Sequence, residues 1–257
     1  MSLDTIRLYL SRLPERPDAE RVLHRAGPDR VAGSLGTLRV SSVFQPIVDL
    51  AGVVFGHQAF FRAAGAEGTV SPRALLDGLP DDEAVVRFDR MCRTVHALNR
   101  FAASEAWVPL FLGVDHRLLR CVPEEHGTTF QHILAGFGIL ASRVVITLPA
   151  EAVAVPGLLE NVLPSYRLRN FRIALDVAGQ ELLPRIARLR PDFVRVRHDA
   201  DLPRWAAVSH GAGARLVATH IEDAASRSAA LEGKADLLQG FHLGRPAESI
   251  AAQTVAA

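Results

Sequence analysis

Long apolar runs are absent from this sequence, and that absence and others exclude several classes of protein. No run approaches the roughly 20 apolar residues of a membrane-spanning helix, and residues 1–7 lack the charged and apolar regions of a signal peptide. The 29 Lys and Arg residues nearly balance the 28 Asp and Glu residues, which gives no reason to expect nucleic acid or an anionic membrane as a partner. We therefore predict a cytoplasmic protein with no membrane and no nucleic-acid partner.

Cysteine and glycine motifs are also scarce. The two cysteines, Cys92 and Cys121, have no metal or redox spacing, and we expect both to be small packing residues. No Gly-rich loop follows an early strand, which leaves little support for a dinucleotide-binding open sheet. The histidines near predicted strand ends, among them His57 and His220, lack compact ligand spacing, so the sequence does not predict a new metal site.

The chain has 257 residues, 49% of them hydrophobic, which is enough to bury the core of one large domain. Its beginning differs from the rest. Apolar spacing predicts a helix over residues 3–10 and a second short helix over 19–26, and Gly and Pro pairs predict a linker over 27–34. We predict a helical extension with a linker over 1–37 and one folded domain over 38–257.

From residue 38 onward, short apolar runs alternate with amphipathic segments. Strands are predicted at 43–48, 53–61, 109–114, 144–148, 172–177, 193–196, 216–218 and 237–240. Helices are predicted at 83–101, 130–137, 150–168, 180–188, 202–211 and 222–231, and after the last strand. This alternation predicts an α/β fold with a parallel sheet, and about eight strands suit a closed (β/α)8 barrel. A doubly wound open sheet is the alternative. Trp107 and Trp205 are predicted to be packing residues.

Several segments, in this order, resemble the EAL family of cyclic-di-GMP phosphodiesterases. They are FQPIVDL (44–50), GHQAFFR (56–62), IALD (173–176), PDFVR (191–195), VATHIE (217–222) and QGFHLGRP (239–246). The second lies where the family has its Glu-Ala-Leu signature and the following Arg. The resemblance covers about residues 38–248. It implies a TIM-like barrel of EAL type and phosphodiester hydrolysis by two divalent cations.

Most positions at which the resemblance implies metal ligands are occupied by unsuited residues. Gln58 replaces the signature glutamate, Gly113 an asparagine and Thr147 a glutamate. Val177 replaces the second of two paired aspartates, and Thr219 replaces a later glutamate. Mg²⁺ and Mn²⁺ require several oxygen ligands, usually carboxylates. The sequence therefore predicts that binding of Mg²⁺ or Mn²⁺ is lost and that no cofactor is held.

Two acidic residues remain at the matched positions, Asp176 and Glu222. Arg195 replaces the lysine that the family uses to position water, and Arg cannot easily give up a proton. We predict that Asp176 and Glu222 form ion pairs with Arg195 or Arg197 rather than bind a metal. The domain is therefore predicted to be catalytically inactive.

A nucleotide pocket could persist without the metals. Arg62 is the candidate contact to a phosphate, and Gln45 and Gln239 could bind a guanine edge or a sugar. Phe60 could stack on a base or block the pocket, and the neighbouring glycine and proline of the last segment could simply shape a turn. The candidate ligand residues are Gln45, Gln58, Phe60, Arg62, Asp176, Arg195, Glu222, Gln239, Gly240 and Pro246.

Three functions follow from these observations. The first is a catalytically inactive, EAL-like regulatory protein that acts by binding a protein partner, which the sequence does not identify. The second is a metal-independent receptor for cyclic-di-GMP. The third is a weak cyclic-di-GMP phosphodiesterase. A homodimer is expected by analogy with the family alone.

Overall fold

The computed structural model describes residues 3–12, 22–27, 29–103, 107–121 and 127–250. The strands are β1 (Leu23–Arg25), β2 (Val31–Leu35), β3 (Leu38–Val48), β4 (Val54–Gly65), β5 (Gly68–Val70), β6 (Leu110–Gly113), β7 (Val144–Leu148), β8 (Arg172–Asp176), β9 (Phe193–Arg197), β10 (Arg215–Thr219) and β11 (Leu237–Leu238). The helices are α1 (Leu3–Ser11), α2 (Pro72–Asp77), α3 (Asp82–Ala103), α4 (His116–Cys121), α5 (Thr128–Gly136), α6 (Ala150–Ala154), α7 (Leu158–Leu168), α8 (Leu183–Leu189), α9 (Leu202–Gly211) and α10 (Ala224–Glu232).

Eight of the strands form a closed barrel in the order β3-β11-β10-β9-β8-β7-β6-β4, and pairing of β3 with β4 closes it. β3 is antiparallel to both of its barrel neighbours, and the remaining neighbouring pairs are parallel. The prediction of a closed (β/α)8 barrel is confirmed. The end at which the parallel strands finish is called the upper end here, and the opposite end is called the lower face.

The core has two parts. The barrel interior is filled by one apolar residue from each of seven strands: Ile47, Phe111, Val145, Ala174, Phe193, Val217 and Leu237. A larger cluster lies between the barrel and its helices. The 22-residue helix α3 contributes most to this cluster from one element, because nearly all of its residues after Phe88 are buried. Cys92 is one of them, as predicted for a packing residue.

The beginning of the chain differs from the prediction. Helix α1 forms, and Ile6 is buried. The second short helix over 19–26 is wrong, because Leu23–Arg25 is a strand paired with β2. The linker over 27–34 is also wrong, because β2 pairs with β3. A Cβ at Gly33 would lie 2.6 Å from the sulfur of Met91, so glycine here allows α3 to approach the strand rather than marking a loop. The domain boundary after residue 37 stays a prediction.

Most of the other predicted elements form within a few residues of their predicted bounds. The predicted helix over 150–168 is divided in two by Pro156 and by Gly157, whose φ of +79° ends one helix and precedes the next. Residues 241–250 form turns and an isolated bridge rather than the expected terminal helix. The rest of that expected helix lies outside the described residues. In the described part of the chain, no helix has both the length and the apolar character to span a bilayer.

Candidate functional site

A ring of mostly polar positions closes the upper end of the barrel. Side chains alternate along a strand, so the residue two positions from each interior core residue, towards the upper end, also points inward. On β3, which runs in the opposite direction, that residue precedes the core residue in sequence. On β4, Gly56 marks the inner face, because a Cβ there would touch the ring of Phe111. The resulting upper ring is Gln45, Gln58, Gly113, Thr147, Asp176, Arg195, Thr219 and Gln239. At six of its eight positions, the sequence resemblance to the EAL family implies a metal ligand or a residue that positions water.

Arg195 is the centre of this ring. Its Nε donates to Oδ1 of Asp176 at 2.7 Å, and its Nη1 donates to Oε1 of Gln58. The Arg195 side chain is 9% exposed and that of Asp176 is 41% exposed. The predicted pairing of Asp176 with Arg195 is therefore present. The guanidinium engages the only carboxylate of the ring together with the residue at the signature position.

Gln45 and Gln239 form a hydrogen bond with each other. Nε2 of Gln239 donates to Oε1 of Gln45 at 2.9 Å, and Nε2 of Gln45 donates to the carbonyl of Gly244 at 3.0 Å. Both side chains are buried. Their amide groups hold the last segment of the domain against β3, which is a structural task. These bonds leave Oε1 of Gln239 without a hydrogen-bond partner among the described residues, and the contact of either residue with a nucleotide stays a prediction.

The remaining candidate residues lie outside the ring. Arg62 and Glu222 are exposed, and Arg197 forms its ion pair with Asp199 rather than with Glu222. Gly240 is buried in a tight contact, because a Cβ there would lie 2.0 Å from the carbonyl oxygen of Ile221. Pro246 lies in the final described segment, two positions after Gly244. The structure thus brings Gln58, Asp176 and Arg195 together and leaves Arg62 and Glu222 apart from them.

A cavity of about 410 Å³ extends from the upper ring towards α2 and α3. Gln58, Asp176 and Arg195 line one side of it. Apolar side chains line much of the remainder: Phe60, Phe61, Pro72, Leu76, Phe88 and Val114. Phe60 is 40% exposed, which leaves its ring available to a ligand. The cavity suits a partly apolar ligand more than a bare anion.

An ion pair that was not predicted from the sequence also lines this cavity, Asp89 with Arg93 on α3. Both side chains are buried. Burial raises the pKa of the Asp89 carboxyl against the opposing effect of Arg93. Burial works to lower the pKa of Arg93, but Asp89 and Tyr166 hold it above its usual value. The i, i+4 spacing of an acid and a base on the apolar side of an amphipathic helix was the available signal.

The donor set of the upper ring does not fit two divalent cations. Asp176 is its only carboxylate, and that carboxylate already pairs with a cation. The hydroxyl of Thr219 donates to the carbonyl of Val196 at 2.9 Å, and Gly113 has no side chain. Among the described residues, no group of three or more His, Cys, Asp or Glu could hold a metal ion. Two hard cations need far more anionic oxygen than this ring offers.

No protein-family model matches the sequence. No protein with a curated description matches it either. The fold, however, matches solved structures of EAL domains. The Bacillus subtilis YkuI protein, which has an EAL domain and was solved with its substrate c-di-GMP and calcium, is 25% identical with a TM-score of 0.70. The match covers 82% of this chain and 55% of YkuI.

Two further structures agree. A standalone EAL protein from Vibrio cholerae, in its c-di-GMP-bound form, is 20% identical with a TM-score of 0.66, covering 84% of this chain and 95% of that one. The EAL domain of Xanthomonas citri FimX in complex with c-di-GMP is 18% identical with a TM-score of 0.68, covering 80% and 87%. The chain spans just over half the length of YkuI. The resemblance to EAL domains is confirmed at the level of the fold.

Proposed function

We propose that this protein is a catalytically inactive EAL-fold regulator that acts by binding a partner protein. The observation that carries the proposal is the position of Arg195, whose guanidinium donates hydrogen bonds to both Asp176 and Gln58. A permanent cation therefore occupies the place at which a metal-dependent hydrolase needs negative charge. The barrel is otherwise intact, with a continuous set of eight strands and a fully packed interior.

Loss of chemistry follows from the charges of the upper ring. Hydrolysis of a phosphodiester needs an activated water and cations that neutralise the developing charge. One carboxylate paired with one guanidinium has no net charge with which to attract Mg²⁺ or Mn²⁺. A guanidinium such as that of Arg195 is also unsuited to act as a base towards water. A protein with this ring can retain a role only through binding.

A second candidate function is a metal-independent receptor for cyclic-di-GMP. The cavity of about 410 Å³ favours it, because an exposed aromatic ring, Phe60, and a guanidinium, Arg195, lie on the same cavity. These groups suit the base and the phosphate of a nucleotide. Solved EAL domains with this fold are bound to c-di-GMP. Binding and partner regulation are compatible, because a ligand that prefers one conformation shifts the population towards it.

The test combines calorimetry with an assay for the linear product, using purified protein and cyclic-di-GMP with and without Mg²⁺ or Mn²⁺. We expect no product under any condition. Metal-independent binding that Phe60→Ala or Arg195→Gln abolishes would establish the receptor, because both side chains line the cavity. Arg188→Ala, on the outer helix α8 and 75% exposed, is the matched control and should leave binding unchanged.

Metal-dependent turnover by the unaltered protein would refute the proposal. Absence of binding at about 100 μM, a limit near 5.5 kcal/mol of affinity, would leave partner binding without a nucleotide as the function.

A further inference from the structure

The lower face of the barrel, opposite the upper ring, exposes large apolar side chains. Trp107, Leu140 and Leu168 are 63%, 59% and 79% exposed. They precede β6, β7 and β8, which are consecutive neighbours in the barrel. Trp107 was predicted to be a packing residue, which is wrong, whereas Trp205 is buried as predicted. Single exposed apolar residues are ordinary, but three on adjacent strand entrances form a patch.

Arg143 connects this patch to the body of the domain. Its guanidinium lies over the ring of Phe101 at 4.5 Å and over the ring of Trp107 at 5.2 Å. Arg143 belongs to the turn that begins just after Leu140 and leads into β7. Trp107 is thereby held on the lower face by the cation of Arg143 rather than by burial.

A cavity of about 700 Å³ lies beside the patch, and Leu140 forms part of its wall. Three arginines line it: Arg167 and Arg169 at the end of α7, and Arg190 after α8. In the described part of the chain, no carboxylate oxygen lies within 4.0 Å of a side-chain nitrogen of these three. The lower face therefore gathers positive charge in a protein whose formal net charge is only +1.

The contacts that these arginines make leave much of their hydrogen-bonding capacity open. Nη2 of Arg167 donates to the carbonyls of Leu189 and Arg190, and Nη1 of Arg169 donates to Ser165. Asp192 is the single acidic residue of the cavity wall. Its Oδ2 accepts from the amide of Ile173 at 2.8 Å, and its other oxygen faces Arg172. Asp192 therefore does not neutralise the three arginines.

We propose that the lower face binds an acidic segment of a partner protein, with carboxylates on Arg167, Arg169 and Arg190 and an apolar anchor on Leu140 and Leu168. The inference rests on the proposed function and names the surface and the partner chemistry. Charge complementarity selects an acidic partner, because guanidinium groups bind carboxylates in a two-pronged manner. The exposed leucines and the cavity select a peptide, since an apolar anchor in a pocket contributes most of the energy of such interfaces.

The experiment is a selection of random phage-displayed peptides of about twelve residues, a length typical of linear motifs, on the purified full chain. Binders are counter-selected on the double variant Leu168→Ser/Arg190→Asn. Arg190 has a φ of +46°, a conformation that Asn tolerates, so the variant removes charge without straining the backbone. We expect the enriched sequences to combine Asp or Glu with Leu, Phe or Trp.

Trp107 provides a direct reading of where the selected peptide binds. The chain has two tryptophans, and the other, Trp205, is buried. Binding at the lower face should shift the fluorescence emission of Trp107 to the blue and reduce the quenching of that fluorescence by acrylamide. Leu168→Ser/Arg190→Asn should weaken affinity about ten-fold or more, the effect of losing one anchor. The control Leu231→Ser/Arg73→Gln, which alters an exposed leucine and an exposed arginine elsewhere, should bind like the unaltered protein.

Enriched peptides without acidic residues would overturn the inference. So would a failure to find any peptide that prefers the unaltered protein to the double variant, or a stronger response of Trp107 to single-stranded DNA of equal charge than to the peptide. The cyclic-di-GMP assay is independent of the lower face. A negative selection with no turnover would remove this surface and leave the inactive regulator standing, whereas turnover with a positive selection would do the reverse.

Discussion

Asp176 and Arg195 are direct register partners on the parallel strands β8 and β9, and the 2.7 Å bond between them defines the upper ring. The sequence resemblance to the EAL family implies a lysine at the position of Arg195 and a second aspartate at the position of Val177. Replacing a lysine by arginine adds a planar, two-pronged donor. That donor reaches both Asp176 and Gln58 and joins them in one hydrogen-bonded network.

Removing the carboxylate of this pair should destabilise the fold. In Asp176→Asn, Arg195 would remain buried without its anion, and we expect the free energy of unfolding to fall by about 1–2 kcal/mol. The partial exposure of Asp176 keeps the loss below that of a fully buried pair. Urea denaturation measures it. Asp199→Asn, which breaks an exposed pair with Arg197, should lower the free energy of unfolding clearly less than Asp176→Asn does. Equal losses would show that Arg195 does not depend on Asp176.

Restoring the signature carboxylate alone should not restore metal binding. In Gln58→Glu, we expect the new carboxylate to pair with Arg195, so that calorimetry with Mn²⁺ shows no binding. The double variant Gln58→Glu/Arg195→Gln removes the competing cation and should bind Mn²⁺ weakly, because two carboxylates then face the cavity. Binding by the single variant would mean that Arg195 moves aside readily and does not block the site.

Two glycines near the upper end should differ greatly in how much stability is lost when each is replaced by alanine. A Cβ at Gly240 would lie 2.0–2.5 Å from the backbone of Ile221, so Gly240→Ala should lower the free energy of unfolding by about 3 kcal/mol or more. A Cβ at Gly113 meets nothing within 4 Å, so Gly113→Ala should change it by less than about 1 kcal/mol. Thermal denaturation of both variants tests these two predictions. A Gly240→Ala protein as stable as the unaltered one would contradict the close approach of Gly240 to Ile221.

Stability should decrease as the pH falls through the titration range of a buried histidine. Burial lowers the pKa of His96 to about 3, and its Nδ1 lies 2.7 Å from Oγ of Ser42. Below the unfolded pKa near 6.5, the unfolded chain binds a proton that the folded protein does not. This group therefore stabilises the fold fully above pH 6.5 and progressively less towards pH 3. We expect a loss of about 2 kcal/mol between pH 7 and pH 5 from this group.

Urea denaturation at the two pH values, on the unaltered protein and on His96→Gln, isolates this contribution. Burial also lowers the pKa of His24 and His220, but these residues are present in both proteins. His132→Gln, which replaces an exposed histidine on α5, should keep the full loss. A pH dependence that is unchanged in His96→Gln would contradict the assignment.

The barrel was predictable because each strand carries its own signal. Eight short apolar runs predicted the eight barrel strands. For seven of these strands the following element was also predicted correctly: a hairpin partner for β3 and a helix for each of the other six. The helix expected after β11 does not form in residues 241–250. The N-terminal hairpin was not predictable, since Gly33 and Gly27 signal a loop in sequence. Only the approach of Met91 shows why a strand needs a glycine there. The burial of Asp89 was missed because a carboxylate usually marks an exposed position on a helix, although its i, i+4 spacing from Arg93 was a signal of the ion pair.

Because β2 pairs with β3, a shortened version of the chain depends for its stability on the residue at which it starts. A version that starts at Leu38 would leave the backbone of Leu38–Val40 without its partners Gly33, Ser34 and Leu35, which creates an open edge that invites aggregation. It would also remove the backbone amide and carbonyl of Val31, both of which bond to the buried side chain of Asn99. The shortest soluble piece for crystallography should therefore begin before Val22, even though the resemblance to EAL domains begins near residue 38.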